Sequence, residues 1–346
     1  IAFKAYMTIQ DYFYSLENAV EDFPTGVNYI SNYKSFKTFM DEHIHPEVRI
    51  MTSRLDEKVF LNNHGVPHVN MIIEKITHII EDVGFDFITP YEYFFLLMAI
   101  QIHDAGHVIS GRDGHEEAGA TFLSYFNRYT MSTFERKVIS DIAKSHSGKN
   151  DPIGNLQSNM LISGKNIRPR LLASLLRIGD ELADEKSRAS QYLLEENAIP
   201  EYSKLFHAFS ASLDTYIANP KSGTINMLFC INKKYVIEKF KKKRKGIEEE
   251  VYLLDEIYTR SIKAFTECLY YNRFVPESIR FRVIDVRINF LDDNGMVYYE
   301  PIAYRIEEKG YPQDVTTDIF SLVGNQLMRN GELLTGQYIN TLMSAN

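Results

Sequence analysis

The fold and the chemistry of this chain turn on residues 101–123, QIHDAGHVISGRDGHEEAGATFL. Three histidines and four carboxylates follow directly after the apolar run Tyr93–Ile100. A segment that is apolar nearly all round is typical of a buried helix. Ionised groups buried among Leu, Ile and Phe cost several kcal/mol unless they are paired. The stretch therefore predicts polar partners inside the molecule.

The apolar run has strong helix signals at both ends. Thr89 is a predicted N-cap, Pro90 stands at the first helical position, and Glu92 follows the cap by three residues. Gly106 is expected to end the helix. We therefore predict a central helix that delivers His103 and Asp104 at its C-terminal end.

Further helices are predicted on both sides of this one. The first sixty residues read as helices with Tyr and Phe on their apolar faces, and Asp113 with Glu116 indicates a helix start after the histidine-rich stretch. Apolar stripes at helical spacing place three polar residues on inward faces or helix ends. These residues are His68, His146 and Asp180.

After about residue 205 the pattern changes from helical to mixed. Residues 223–231 and 278–290 are rich in β-branched and aromatic side chains, which favours strands. We predict a mainly α protein: N-terminal helices plus a helical bundle over 1–205, wholly helical, and a small α+β appendage over 206–346. The segment 311–329 is expected to be helical.

A basic run, Lys239–Lys245, is followed at once by Glu248, Glu249 and Glu250. We interpret it as a solvated loop or helix end whose charge the neighbouring acids compensate. The alternative is a contact to a nucleotide or nucleic acid, or an allosteric phosphate site between subunits.

Composition limits the classes of function. The chain has 346 residues, of which 45% are hydrophobic and 24% charged, as in ordinary globular proteins. A net charge of −8 argues against dedicated duplex-DNA binding. Apolar runs fall short of the roughly 20 residues of a membrane span, so we expect no membrane association. Cys230 and Cys268 form no metal-type spacing, which fits a reducing, cytoplasmic location.

The inward histidines and acids together suggest a metal centre. Imidazole and carboxylate donors suit Mn, Mg, Fe, Ni or Zn, and six of them are enough for one ion or for two that share a bridging carboxylate. The six candidates are His68, His103, Asp104, His115, His146 and Asp180.

The order H…HD…H…H…D resembles the HD superfamily of metal-dependent phosphohydrolases, over roughly residues 60–190. The resemblance implies that His68, His103, Asp104 and Asp180 hold one ion. It also implies that Asp104 bridges to a second ion, which His115 and His146 complete.

The stretch HDAGH is further similar to the HDxGH stretch of deoxynucleoside triphosphate triphosphohydrolases. In those enzymes the next histidine follows sooner than His115 does here. The Arg that precedes their first ligand is missing, and His64 occupies the neighbouring position. These departures weaken the transfer of their catalytic roles.

The resemblance implies catalytic roles for Asp104, His107 and His115: Asp104 orients the attacking water, and His107 or His115 protonates the leaving oxygen. Phosphate needs cationic partners, because charge-assisted hydrogen bonds offset the desolvation of a polyanion. The candidates near the predicted centre are Arg112, Lys144, Lys149 and Arg177.

We therefore expect a metal-dependent phosphohydrolase that acts on a nucleotide, first of all a deoxynucleoside triphosphate. The six-ligand pattern suits equally a phosphodiesterase that cleaves a cyclic or linear oligonucleotide messenger. Two further alternatives are a diiron oxygenase like the inositol-cleaving one and a non-hydrolytic nucleotide-sensing module. The resemblance also favours a homo-oligomer.

Overall fold

A computed structural model describes residues 7–18, 20–52, 60–62, 64–111, 114–124, 131–184, 186–244, 247–310 and 318–344. The chain divides into two compact units. Unit 1 comprises residues 1–52, 63–183 and 271–279, and unit 2 comprises residues 53–62, 184–270 and 280–346. The sequence predicted a domain boundary after residue 205. A domain boundary is a statement about which parts of the chain fold independently. The division into compact units does not test this, so the predicted boundary stays a prediction.

Unit 1 is mainly helical, in agreement with the sequence. Its helices are α1 (Ile9–Ser15), α2 (Tyr29–Phe39), α3 (His45–Thr52), α4 (Val66–Ile80), α5 (Pro90–Ile102), α6 (His107–Ser110), α7 (His115–Ala118), α8 (Thr133–Lys144) and α9 (Pro169–Leu182). A π-helical turn, Met40–Ile44, joins α2 to α3. Short 3-10 helices cover Leu16–Asn18, Val20–Asp22, Phe85–Phe87, Gly119–Ser124 and Glu277–Ile279. The HD-type helical bundle that the resemblance implies stays a prediction.

Helix α5 forms the centre of unit 1, as its sequence predicts. Thr89 and Glu92 form a capping box, and every side chain from Tyr91 to Ile102 is buried. Arg168 donates through Nε and Nη2 to the buried Glu92 carboxylate, at 2.8 and 2.6 Å. This pair ties the start of α5 to the residue that precedes α9.

Two predictions for unit 1 need correction. The region before residue 205 is not wholly helical, because β1 (Met160–Ile162) and β2 (Lys165–Ile167) form an antiparallel hairpin. Its turn needs Ser163 and Gly164 at positive φ, a signal that the sequence reading missed. The helix predicted from Asp113 is only the four residues of α7 before it tightens into the 3-10 turn, and residues 112–113 and 125–130 lie outside the described residues.

Unit 2 is built around a four-stranded sheet in the order β3-β4-β7-β8. Its strands are β3 (Leu213–Asn219), β4 (Thr224–Asn232), β7 (Val283–Leu291) and β8 (Val297–Glu307), with the hairpins β5 (Lys239–Arg244)/β6 (Ile247–Tyr252) and β9 (Met328–Arg329)/β10 (Glu332–Leu333). Its helices are α10 (Gln191–Glu195), α11 (Glu201–Ser212), α12 (Lys233–Ile237), α13 (Leu253–Asn272, whose last two residues belong to unit 1), α14 (Ile319–Val323) and α15 (Gly336–Ser344). Single-turn 3-10 helices cover Lys186–Arg188, Pro220–Ser222 and Gly324–Leu327.

The two strands predicted from sequence, β4 and β7, are the parallel central pair. Parallel neighbours need a long crossover, and α12, the β5–β6 hairpin and α13 supply it. The α+β character of the C-terminal region is therefore confirmed. The predicted helix over 311–329 is found in part, since α14 and a 3-10 turn precede β9, and residues 311–317 lie outside the described residues.

Residues 239–244 of the basic run form strand β5, not a loop or helix end, and Lys245 lies outside the described residues. Lys241, Lys242 and Lys243 lie opposite Glu250, Glu249 and Glu248 in the antiparallel register. The glutamates do compensate the charge of the lysines, but they do so across the two strands of a hairpin and not along a loop.

Candidate metal centre

Seven ionisable residues converge in unit 1 from separate helical segments. His68 lies in the first turn of α4, His103 caps the end of α5, and Asp104 follows it in the turn to α6. The remaining four stand at helix starts or ends, or on an inward helix face: His107 on α6, His115 on α7, His146 just after α8, and Asp180 on α9. All seven are buried except His115 and Asp180, which are partly exposed.

Two glycines permit the close approach of these segments. A Cβ on Gly106 would lie 1.9 Å from the carbonyl oxygen of His115, and one on Gly179 would lie 2.7 Å from Ile76 Cγ1. Real Cβ contacts are never that short, so α7 packs against the His103–Gly106 turn, and α9 against α4, only because a side chain is absent. The second contact brings Asp180 beside His68.

Asp104 is at the centre, and its two oxygens face different histidines. Oδ2 lies 2.7 Å from Nδ1 of His64, 3.3 Å from Nε2 of His103 and 3.6 Å from Nε2 of His68. Oδ1 faces the Nε2 atoms of His115 at 3.4 Å, His146 at 3.6 Å and His107 at 3.9 Å. One carboxylate thus separates two groups of imidazoles.

Asp180 completes the Oδ2 side. Its Oδ1 lies 3.1 Å from Nε2 of His68 and 3.9 Å from Nε2 of His103. His68 therefore lies between the two carboxylates.

Backbone carbonyls fix three of the imidazoles. Nδ1 of His103 donates to the Ile100 carbonyl at 2.8 Å, Nδ1 of His107 to Gly111 at 2.9 Å, and Nδ1 of His146 to Ala143 at 2.6 Å. A carbonyl only accepts, so Nδ1 carries the hydrogen in each case and Nε2 faces Asp104. This arrangement is typical of histidines that bind metal through Nε2.

Burial and neighbouring charges shift the pKa values in the cluster. Burial alone would raise the pKa of Asp104, but His103 and His64 beside it hold that pKa well below its usual value. The pKa of Asp180 is also lowered, against the effect of burial, mainly by its hydrogen bond with His68. Both carboxyls are therefore ionised near neutral pH.

The histidines divide according to their surroundings. Burial lowers the pKa of His107 to about 4, and burial together with His103 lowers the pKa of His146. For His103, burial is outweighed by Asp104 and Asp180, which raise its pKa to about 9. Without a cation the core thus holds a proton on His103 between two carboxylates, and a cation would take the place of that proton.

Comparison with known families gives a match to the HD-CE model over residues 53–227. This range is half of the chain and contains all seven residues, together with His64. The chain belongs to the HD-CE family. The match confirms the resemblance to the HD superfamily that the sequence suggested. No curated protein matches the chain.

The donor set of this HD-CE chain fits a divalent cation. Three groups each place their donor atoms within 4.8 Å of one another: His64, His68 and Asp104; His68, His103 and Asp180; and Asp104, His107 and His115. Among the described residues, the buried Nε2 of His103 meets no hydrogen-bond partner, although Asp104 Oδ2 is 3.3 Å away. Once its proton is displaced, this nitrogen presents a lone pair beside a carboxylate, which suits a cation between the two atoms.

All six ligand candidates predicted from sequence lie in this cluster. His115 and His146 both face Asp104 Oδ1. His107, expected as a catalytic group, stacks on His115 with ring centroids 4.1 Å apart. It belongs to the same donor group as His115 and Asp104.

The predicted phosphate-binding residues lie at varied positions. Lys144 forms an ion pair with Glu117, and Lys149 is exposed on the loop after His146. Arg177 donates through Nη1 to the carbonyl of Ser145, next to His146. Arg112 lies outside the described residues.

Sequence reasoning missed His64 as a member of the cluster. Its spacing to His68 is that of one helical turn, but Gly65 is the N-cap of α4, so His64 lies outside the helix. Helical periodicity therefore gave no signal for it. His43, His45, His78 and His207 belong to none of the three donor groups.

Proposed function

We propose that this HD-CE protein is a metal-dependent phosphohydrolase that acts on a nucleotide, with deoxynucleoside triphosphates as its first substrate class. One observation carries the proposal: Asp104 has three imidazoles on each of its two oxygens, inside a mainly helical unit. Purely structural histidines would not need to converge on one carboxylate from this many elements. The ligands we propose are His68, His103, Asp104, His115, His146 and Asp180.

A divalent cation at this carboxylate would supply positive charge that polarises a phosphoryl oxygen and lowers the pKa of a nearby water. Asp104 would orient the attacking water, since its two oxygens reach both sides of the centre. The carbonyls of Ile100, Gly111 and Ala143 hold the imidazoles in place, so that no reorganisation is needed when substrate binds.

In a centre with one ion on the Oδ2 side, where His115 holds no metal, His115 is our candidate for protonating the leaving oxygen. Its Nδ1 lies 3.2 Å from a carboxylate oxygen of Glu116, while its Nε2 faces Asp104. A carboxylate behind an imidazole orients the ring and stabilises its protonated form. His107, buried and with a lowered pKa, is the weaker donor at neutral pH.

For a deoxynucleoside triphosphate, water would add to the α-phosphorus and the bond to the 5′-oxygen would break. The proton passes to that oxygen, and the products are a nucleoside and triphosphate. Arg177 and Lys149 are the proposed phosphate contacts. Lys144 already has a carboxylate partner in Glu117, which makes it the poorer candidate.

A phosphodiesterase acting on a cyclic or linear oligonucleotide is the second candidate. The two-sided arrangement of histidines around Asp104 favours it, because two cations about 3.5 to 4 Å apart suit in-line phosphodiester cleavage. The products decide between the candidates, since a diesterase leaves a nucleotide with a new terminal phosphate.

The test is a product assay with the purified chain. It is incubated with Mn²⁺, Mg²⁺, Fe²⁺, Ni²⁺ or Zn²⁺ and a panel of deoxynucleotides, ribonucleotides and cyclic dinucleotides, and products are resolved by mass. The double variant His103→Ala/Asp104→Ala is expected to lose turnover and bound metal while its helical circular dichroism remains. Full activity in that variant, or tight nucleotide binding without turnover under every metal, contradicts the proposal.

A further inference from the structure

His64 approaches the metal centre from the residues that precede α4. It precedes the N-cap of α4, and its side chain is 20% exposed, whereas those of His68 and His103 are completely or almost completely buried. Its ring centroid lies 5.3 Å from that of His68 and 5.4 Å from that of His107. His64 therefore stands between the buried donors and the solvent.

The orientation of His64 differs from that of the carbonyl-anchored histidines. Those use Nδ1 for a backbone carbonyl and direct Nε2 at Asp104, whereas His64 directs Nδ1 itself at Oδ2, 2.7 Å away. Oδ2 is also the oxygen that faces His68 and His103. The nitrogen of His64 thus lies among the donor atoms and not behind them.

Two of the donor groups share His68. One comprises His64, His68 and Asp104, and the other comprises His68, His103 and Asp180. Nε2 of His68 faces both carboxylates, at 3.6 Å and 3.1 Å. Since one nitrogen lone pair binds one ion, a cation held by Nε2 of His68 would lie beside both groups.

We propose that His64 is a fifth protein ligand of the cation on the Oδ2 side of Asp104, together with His68, His103, Asp104 and Asp180. Five protein donors exceed the four of a tetrahedral zinc site. A six-coordinate ion held by these five donors would keep one position for water or a phosphoryl oxygen. The centre therefore selects a six-coordinate ion such as Mn²⁺, Fe²⁺ or Co²⁺ over Zn²⁺.

This inference rests on the metal centre of the proposed function, and Co²⁺ tests the two separately. The full chain is titrated with Co²⁺ by calorimetry, and the visible d–d absorption of the saturated protein is recorded. If the native chain binds no Co²⁺, the proposed metal centre itself fails. If it binds Co²⁺, the variants decide the role of His64.

The informative variant is His64→Asn, because the Asn amide can keep a hydrogen-bond donor near Asp104 Oδ2 while the imidazole is lost. His78→Asn is the matched control, since His78 lies on the exposed side of α4 and contacts Glu81. We expect His64→Asn to shift the d–d bands and to weaken Co²⁺ binding more than tenfold, with the control unchanged. Complete loss of binding in His64→Asn alone also supports the proposal, because loss of an outer partner costs only about 10–100-fold in affinity.

Unchanged d–d bands in His64→Asn would overturn the inference, whatever the affinity, because an outer hydrogen-bond partner leaves the ligand number the same. If circular dichroism shows that His64→Asn does not fold, His64→Gln is judged by the same spectra. Nitrogen ligands generally bind Zn²⁺ more tightly than Mn²⁺. A ratio of Zn²⁺ to Mn²⁺ affinity in the native chain that exceeds this general preference would contradict the six-coordinate site.

Discussion

Two regions of this chain are equally rich in ionisable side chains and handle them in opposite ways. In the metal centre, residues from distant parts of the sequence converge and are mostly buried around Asp104. In the β5–β6 hairpin, lysines and glutamates close in sequence face one another across two strands, and most remain exposed. The hairpin satisfies its charges locally and in water. The centre leaves a buried carboxylate among six imidazoles, which only a cation or shared protons can balance.

The largest expected effect comes from removing the charge at the centre of the cluster. Asp104→Asn keeps the size of the side chain but lowers its affinity for any cation. Bound cations contribute several kcal/mol to phosphoryl transfer, so turnover should fall about a thousandfold or more. Elemental analysis should find correspondingly less metal on the variant.

The matched control is Asp293→Asn, an exposed change in the β7–β8 turn, which should keep native metal content and rate. Native metal content in Asp104→Asn would mean that Asp104 is not a central ligand of the bound metal.

The next effect tests whether close backbone packing assembles the centre. Gly106→Ala would force α7 away from the His103–Gly106 turn, because its Cβ would meet the His115 carbonyl at 1.9 Å. We expect a loss of about 3 kcal/mol or more in the free energy of unfolding, at or beyond the upper end of ordinary overpacking, and weaker metal binding. Denaturant unfolding and calorimetry measure the two quantities.

Gly26→Ala serves as the comparison, since nothing lies within 4 Å of its Cβ and only the positive φ of 87° is strained. Its expected cost is about 1–2 kcal/mol, with no change in metal binding. Equal effects of the two substitutions would show that steric contact at Gly106 is unimportant.

Within the hairpin region, burial should again decide the size of the effect. Glu256 on α13 is 3% exposed and contacts both Lys242 and Arg260, whereas Glu250 and its partner Lys239 are both largely exposed. Glu256→Ala should cost about 1.5–3 kcal/mol, as expected for buried charge-assisted hydrogen bonds. Glu250→Ala should cost at most about 1 kcal/mol.

Chemical denaturation of the two variants side by side measures this difference. Similar losses of unfolding free energy would mean that exposed Glu250 and buried Glu256 contribute equally to stability. Burial would then not decide the strength of ion pairs in unit 2.

The last expected effect is gradual and concerns pH. Ser190 donates its N–H to Nδ1 of the buried His207, and Nε2 of His207 donates to the Phe60 carbonyl at 3.2 Å. Burial lowers the pKa of His207 to about 4, although Asp184 nearby favours the charged form. The unfolded chain binds this proton near pH 6.5. Stability from His207 is therefore complete above pH 6.5 and is lost as the pH falls toward 4.

The expected slope from this residue is at most about 1.4 kcal/mol per pH unit between those values. Unfolding of the native chain and of His207→Gln is compared between pH 4 and pH 7. The variant should show the shallower dependence, since its amide does not titrate. Parallel curves for the two proteins would refute the assigned role of His207.

The sequence alone predicted most of the helices around the centre and most of the residues that converge on Asp104. Helix caps are local: Thr89 and Glu92 satisfy backbone groups within one turn, so their spacing predicts the start of α5 wherever it lies. The alternation of apolar and charged residues in β7 is also a local pattern, and it predicted a strand. Hairpin β1–β2 was missed because its turn depends on positive φ at Ser163, a residue that gives only a weak turn signal.

What only the tertiary structure decided is which side of Asp104 each histidine faces. A sequence orders His64, His107, His115 and His146 along the chain but does not fix their distances from one oxygen atom. Those distances follow from helix packing that Gly106 and Gly179 permit, and from carbonyls that orient the rings of His107 and His146. Caps and periodicity act over a few residues, whereas a metal centre is formed by contacts between segments many residues apart, and such contacts exist only in the folded chain.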